Sequence, residues 1–246
     1  MKVIFIHHAG GDKYAWRKYQ ETLSAKIEKV CMELPGRGDR FSEPLLTDLN
    51  AMAEDLYSQI LPHLTDNYVL VGKSMGALLA FLLVQKINTE GKKLPLHLFL
   101  SSRKAPGAYR SHKKIASEPS SLFWEGVKSY GGCPDFLLQH QELMDLYEPI
   151  LRADFQALEN FQFHPMPSLP VSATVIVGKK DIIRLDEVKS WKDFFSSEVD
   201  FQELEGGHFV MYEQALTISK MIEERIFTFN LNQTASSEIP GNLYQI

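Results

Sequence analysis

The sequence predicts an α/β fold, a mostly parallel sheet flanked by helices, and three observations lead there. Short β-branched runs alternate with helical patterns along nearly the whole chain. A third strand, Tyr68 to Val71, runs directly into Gly72-Lys73-Ser74-Met75-Gly76 and then into a helical stretch, Ala77 to Val84. With 246 residues, 44% of them hydrophobic and 23% charged, the chain can bury a full core.

The elements follow in order. Val3 to Ile6 form a first strand, Gly10-Gly11 a turn, and Trp16, Tyr19, Leu23 and Ile27 the apolar stripe of a helix. A second strand covers Lys29 to Leu34. After the loop Pro35 to Gly38, a second helix carries Leu49, Met52, Leu56 and Ile60. The third strand is Tyr68 to Val71 and the fourth Leu96 to Ser101. About 70 residues then pass before the fifth strand, Ala173 to Val177, too many for a loop without structure of its own. The clusters Leu122-Phe123-Trp124 and Phe136-Leu137-Leu138 make that stretch a helical lid plus one scaffold helix. A helix with Val188, Trp191 and Phe195, a sixth strand at Val199 to Leu204 and a last helix from about Glu213 to Phe227 complete the chain. The expectation is a single domain, 1–246, with a lid insertion at about 103–150 and a flexible polar tail at 230–246.

Charge and cysteine content exclude several functions. The net charge is −5, so no basic excess points to nucleic acid or to stable membrane association. Cys31 and Cys133 make neither a disulfide scaffold nor a paired zinc site, which fits a reducing cytoplasm and no metal. The apolar run before His7-His8 is shorter than a signal-peptide core. Gly76 to Val84 is far shorter than the roughly 20 residues of a membrane helix. The chain therefore reads as cytoplasmic.

A Gly-x-Ser-x-Gly match is weak by itself, but here the serine ends a strand and opens a helix, the geometry that exposes a nucleophile on a tight turn. Glycines on both sides let the backbone close, and the helix N-terminus aims N–H groups at developing negative charge. A serine hydroxyl needs a base, and the base needs an acid to fix its tautomer. His208 follows the last strand after Gly206-Gly207; Asp181 lies three residues past Gly178, at the same edge of the sheet. His63, His97, His112, His140 and His164 lack such placement and read as surface or partly buried, and Asp186 reads as a helix N-cap. The order Ser74, Asp181, His208 is that of the α/β-hydrolases. Met75 N–H and, from the loop after the first strand, Ala9 N–H are the candidate oxyanion donors. A metal reading of His7-His8 is disfavoured because adjacent strand side chains point to opposite sides.

These residues resemble the type II thioesterases that accompany nonribosomal peptide and polyketide synthases. The likeness rests on Ala9-Gly10-Gly11, Leu34-Pro35-Gly36-Arg37-Gly38, Gly72 to Gly76, Ser101 to Pro106, Gly131 to Pro134, Leu151 to Phe155, Gly178 to Asp181 with Trp191, and Gly206 to Phe209. The resemblance implies hydrolysis of stalled or wrongly primed acyl groups from acyl or peptidyl carrier protein domains, under a mobile lid. It implies no cofactor, since phosphopantetheine belongs to the substrate, and a monomer is expected. Two departures stand out: His7 where the family usually has Pro, and Lys73 where it usually has His. Lys73 reads as a side chain leaving the turn toward solvent or a carboxylate. Cys31 reads as a small core residue, and nothing in the placement of Cys133 marks it as reactive.

Two rival readings remain at this level: an ester hydrolase or acyltransferase of the same fold, and a catalytically silent acyl-binding protein. Leu122, Phe123, Trp124 and Val127 are the candidate acyl-selective lid residues. Arg103, Lys104, Arg110, Lys113 and Lys114, with no acidic residue among them, form a basic run that either meets a carrier protein or faces water.

Overall fold

The computed structural model describes residues 1–108, 114–131 and 135–237. A six-stranded sheet, parallel throughout, has the order β2-β1-β3-β4-β5-β6, with β1 at Lys2–Ile6, β2 at Glu28–Cys31, β3 at Tyr68–Lys73, β4 at His97–Ser101, β5 at Ser172–Gly178 and β6 at Val199–Leu204. The chain leaves β1 toward β2 and returns on the other side of β1 as β3, so the crossover direction reverses between β1 and β3. Open α/β sheets bind ligands beyond the carboxyl ends of the strands at such a switch point. Ser74 follows β3 there, and His8 and Ala9 follow β1.

The two-residue period of the strands divides the core. Ile4, Ile6, Leu70, Leu98, Leu100 and Val175 face one layer, built on α2 (Leu49–Ile60) and α3 (Met75–Thr89). Val3, Phe5, Val69, Val71, Phe99 and Ile176 face the other, built on α1 (Arg17–Thr22) and the C-terminal helix. Every residue of α3 from Met75 to Gln85 is buried, which explains a helix apolar all round. The first predicted helix is shorter than its apolar stripe. Leu23 is already extended while Leu23 and Ile27 stay buried, because the chain must reach β2 at Glu28.

Between β4 and β5 lie α4 (Ser120–Ser129), α5 (Asp135–Leu138) and the 20-residue α6 (Gln141–Asn160). Phe123, Trp124, Val127 and Leu151 form a cluster of their own, separate from the two sheet cores. The expected lid limit at 150 falls inside α6, which runs unbroken from that cluster to the sheet and buries Ile150, Leu151, Ala153, Asp154 and Ala157. After β5 come α7 (Leu185–Val188) and a 3-10 stretch, then β6, α8 (Val210–Glu213) and α9 (Ala215–Ser237). Helix α9 continues through 230–237, where the sequence predicts a flexible tail; 238–246 lie outside the described residues. Among the described residues no helix is long and apolar enough to cross a membrane.

Candidate active site

Ser74 sits between β3 and α3 with φ 54° and ψ −115°, a conformation costly for any residue with a Cβ. Its N–H is held by Ser101 O at 2.8 Å. The turn is tight against β1: a Cβ on Gly76 would lie 2.3 Å from Ile6 O and 2.5 Å from His7 O, so only glycine lets the start of α3 approach the loop that carries Ala9. Met75 opens α3, where a helix N–H has no partner in its own helix.

His208 bridges the other two predicted residues. Its Nε2 lies 3.2 Å from Ser74 Oγ and its Nδ1 3.0 Å from Asp181 Oδ1. The carboxylate only accepts, so Nδ1 carries the proton and Nε2 is the acceptor for the serine hydroxyl. The loops bearing Asp181 and His208 pack without side chains between them: a Cβ on Gly178 would meet Gly207 O at 2.4 Å. Burial works to raise the Asp181 carboxyl, but hydrogen bonding to His208, the histidine's charge, Ser102 and the Ile183 N–H outweigh it and hold Asp181 below its ordinary value. Burial, then the charge of Lys73, lower His208 from its ordinary value, while Asp181 opposes them.

Lys73 does not leave the turn toward solvent. It is 1% exposed, with Nζ 3.3 Å from the centre of the Phe209 ring. β3 alternation turns it, with Val69 and Val71, into the second core layer. Burial pushes its amine well below the ordinary lysine value, against the opposing charges of Asp181 and Glu213. His8 lines the same region and holds Tyr212 Oη through Nδ1 at 2.9 Å; burial keeps it neutral.

A cavity of about 350 Å³ opens over Ser74, His208, His8 and Ala9. Its roof is apolar: Val127, Tyr130, Leu151, Phe155, Leu158 and Phe161. Ile182 and Ile183 supply a wall from the Asp181 loop. Of the four predicted lid residues only Val127 reaches this cavity. Phe123 and Trp124 are buried within the lid cluster, Trp124 Nε1 donating to Glu148 at 2.7 Å, and Leu122 is turned outward and 40% exposed. Phe123, Trp124 and Val127 share one face of α4 and one cluster with Leu151 of α6, so helical period turns Leu122 outward but it is the packing against α6 that leaves Val127 at the cavity.

Other expectations change as well. Asp186 is not an N-cap: Arg184 holds that position and Asp186 pairs with it at 2.9 Å. His97 is fully buried at the start of β4, bonded to Ser172 and Thr174 at 2.7 and 2.8 Å, at the strand end remote from Ser74. Cys31 is only partly buried, and burial raises its thiol to about 11. In the basic run, Arg103 is buried, Lys104 pairs with Glu187 at 2.5 Å, and Lys114 is exposed at the cavity. Arg110, His112, Lys113 and Cys133 lie outside the described residues. Among the described residues no group of three or more His, Cys, Asp or Glu is placed to hold a metal ion.

Sequence reasoning gave no role to Arg37 and Asp154, which form a buried bidentate pair at 2.7 and 2.8 Å. The signal was present, since both lie in segments that carry the family resemblance. A contact between residues 117 positions apart has no local signature.

Residues 1–226 match the family model described as a thioesterase domain. Linear gramicidin dehydrogenase LgrE of Brevibacillus parabrevis is 31% identical over 228 residues, covering 91% of this chain and 87% of the relative. The structure of ClbQ from the colibactin NRPS/PKS pathway superposes with a TM-score of 0.87 at 26% identity, covering 94% of this chain and 98% of that one. That of the type II thioesterase BorB, from the borrelidin biosynthetic cluster, gives 0.83 at 25%, with 91% of both chains covered.

Proposed function

The chain belongs to the thioesterase family, and from that premise we propose that it is a type II thioesterase that frees acyl groups from the phosphopantetheine thiol of acyl or peptidyl carrier proteins serving nonribosomal peptide or polyketide synthesis. The observation that carries the reading is His208 bridging Ser74 Oγ and Asp181 Oδ1 beneath a cavity lined in part by apolar side chains.

In this mechanism Ser74 Oγ attacks the thioester carbonyl while His208 Nε2 takes its proton. Asp181 holds the imidazole and balances its charge. The N–H groups of Met75 and Ala9 receive the oxyanion. As the tetrahedral intermediate collapses, the C–S bond breaks and His208 returns the proton to the departing pantetheine thiol. Water, deprotonated by His208, then attacks acyl-Ser74; the acid leaves and the serine regains its proton. Each step is completed by the chain's own groups and water, so the proposed reaction needs no cofactor and the phosphopantetheine arrives with the substrate. The apolar roof suits an aliphatic or aryl acyl chain, and the protein acts in this reading as a cytoplasmic monomer.

The test compares acyl-loaded carrier protein, free acyl-pantetheine and the matched oxygen ester, with fluorophosphonate labelling of Ser74. Preferred hydrolysis of the carrier-bound thioester and labelling that Ser74→Ala abolishes support the reading. Preference for the oxygen ester would make it an esterase, and failure to label would make it a binding protein.

A further inference from the structure

The oxyanion loop is gripped from both sides by buried side chains that the reaction itself does not use. On one side, His8 O accepts the Gly11 N–H at 3.0 Å and the His7 Nδ1–H at 2.9 Å. His7 is fully buried; burial and the nearby Arg37 charge lower it to about 4, so it stays neutral, with Nε2 facing the Leu34 N–H at 3.4 Å. On the other side, Asp154 Oδ2 accepts the Gly10 N–H at 2.7 Å. The same carboxylate takes both terminal nitrogens of Arg37, and the pair is 0% and 2% exposed. Leu151, one turn earlier on α6, packs directly on Gly10.

These bonds fix both peptide planes that flank the Ala9 Cα. The His8–Ala9 peptide is trans, so its N–H points opposite its C=O. With His8 O held by Gly11 and His7, the Ala9 N–H is turned away from those donors, and Ala9 lines the cavity it shares with Ser74. The Ala9–Gly10 peptide is pinned by Asp154. A loop of this kind would otherwise move, and an oxyanion donor acts only if it is already in place when charge develops.

We propose that His7, Arg37 and Asp154 are positioning residues for the oxyanion hole, holding the Ala9 N–H where the tetrahedral intermediate needs it. The proposal rests on the serine-hydrolase reading above. It gives His7, one of the chain's departures from the resembling family, a specific task, and it ties α6, which also roofs the acyl cavity, to the catalytic loop.

The experiment uses Arg37→Met/Asp154→Leu, which removes the pair without leaving a lone buried charge, together with Asp154→Asn, His7→Leu and His7→Gln. Removing an oxyanion donor outright costs roughly 100- to 1000-fold in kcat, so displacing one should cost about 10- to 100-fold, with KM for an acyl-pantetheine within about 3-fold of wild type. His7→Gln keeps a donor for His8 O and should restore most of what His7→Leu loses. An alkyl boronic acid, which forms a tetrahedral adduct on serine, should bind more weakly in step with kcat. A non-hydrolysable acyl-pantetheine thioether should bind unchanged. Thermal unfolding identifies the variants that fold, and His7→Leu carries the test alone if the pair variants do not. Unaltered kcat in folded variants, or equal weakening of both ligands, would overturn the proposal. Loss of hydrolysis and of fluorophosphonate labelling in the wild type would overturn the underlying reading instead.

Discussion

Lys73 Nζ stands 3.3 Å from the centre of the Phe209 ring, and Phe209 is the next residue after the proposed base, His208. A cation over an aromatic face is attracted by the ring, which offsets part of the burial that pushes the Lys73 amine below its ordinary value. The groups facing His208 are Asp181 after β5, Lys73 at the end of β3, Arg103 after β4 and neutral His8 after β1. Glu213 of α8 faces Lys73. Burial and the positive charge of Lys73 both favour neutral imidazole, so the acid limb of kcat/KM should fall below 6.5, the ordinary histidine value. Lys73→Met removes one of these causes; His208 would then hold its proton to higher pH, and the acid limb should move upward. A pH–rate profile of both proteins checks this, and an unmoved limb would show that the amine is uncharged there.

Asp181→Asn should leave the fold in place and cost on the order of 10³- to 10⁴-fold in kcat, because an amide can present a donor where His208 Nδ1–H needs an acceptor. Ser74→Ala should lose still more, since base and acid have nothing to activate. Single-turnover assays on folded protein measure both, and more than a tenth of wild-type rate in either variant would refute its assigned role.

Lid residues should separate by position. Val127 lines the cavity, so Val127→Phe should shift the ratio of rates on short and long acyl chains by roughly 10-fold or more. Trp124 packs within the lid and holds Glu148, so Trp124→Ala should loosen the lid, seen as faster amide exchange in α4 and α6, with a smaller change in that ratio. A large selectivity change from Trp124→Ala with an unchanged exchange pattern would reverse this division.

Lys114 is exposed at the cavity mouth, where a phosphate or an acidic partner surface would meet it. Lys114→Glu should raise KM for acyl-carrier protein several-fold and spare small acyl-thioesters. The wild-type preference for the carrier should weaken as salt screens exposed charge. Equal effects on both substrates would place the interaction elsewhere.

Local signals in the chain determined the alternation of strands and helices, the parallel sheet and the strand-turn-helix around Ser74, because hydrophobic period and glycine placement act over a few residues. They also ordered Ser74, Asp181 and His208 along the chain, which the sheet then gathers at one edge. Only the tertiary structure decided where Lys73 points, that Val127 rather than Phe123 or Trp124 meets the cavity, and that Asp154, paired with Arg37, grips Gly10. Each of these depends on which element packs opposite. A burying ring, a lid core and a paired charge all come from distant segments, and the energy that selects them exists only once those segments meet.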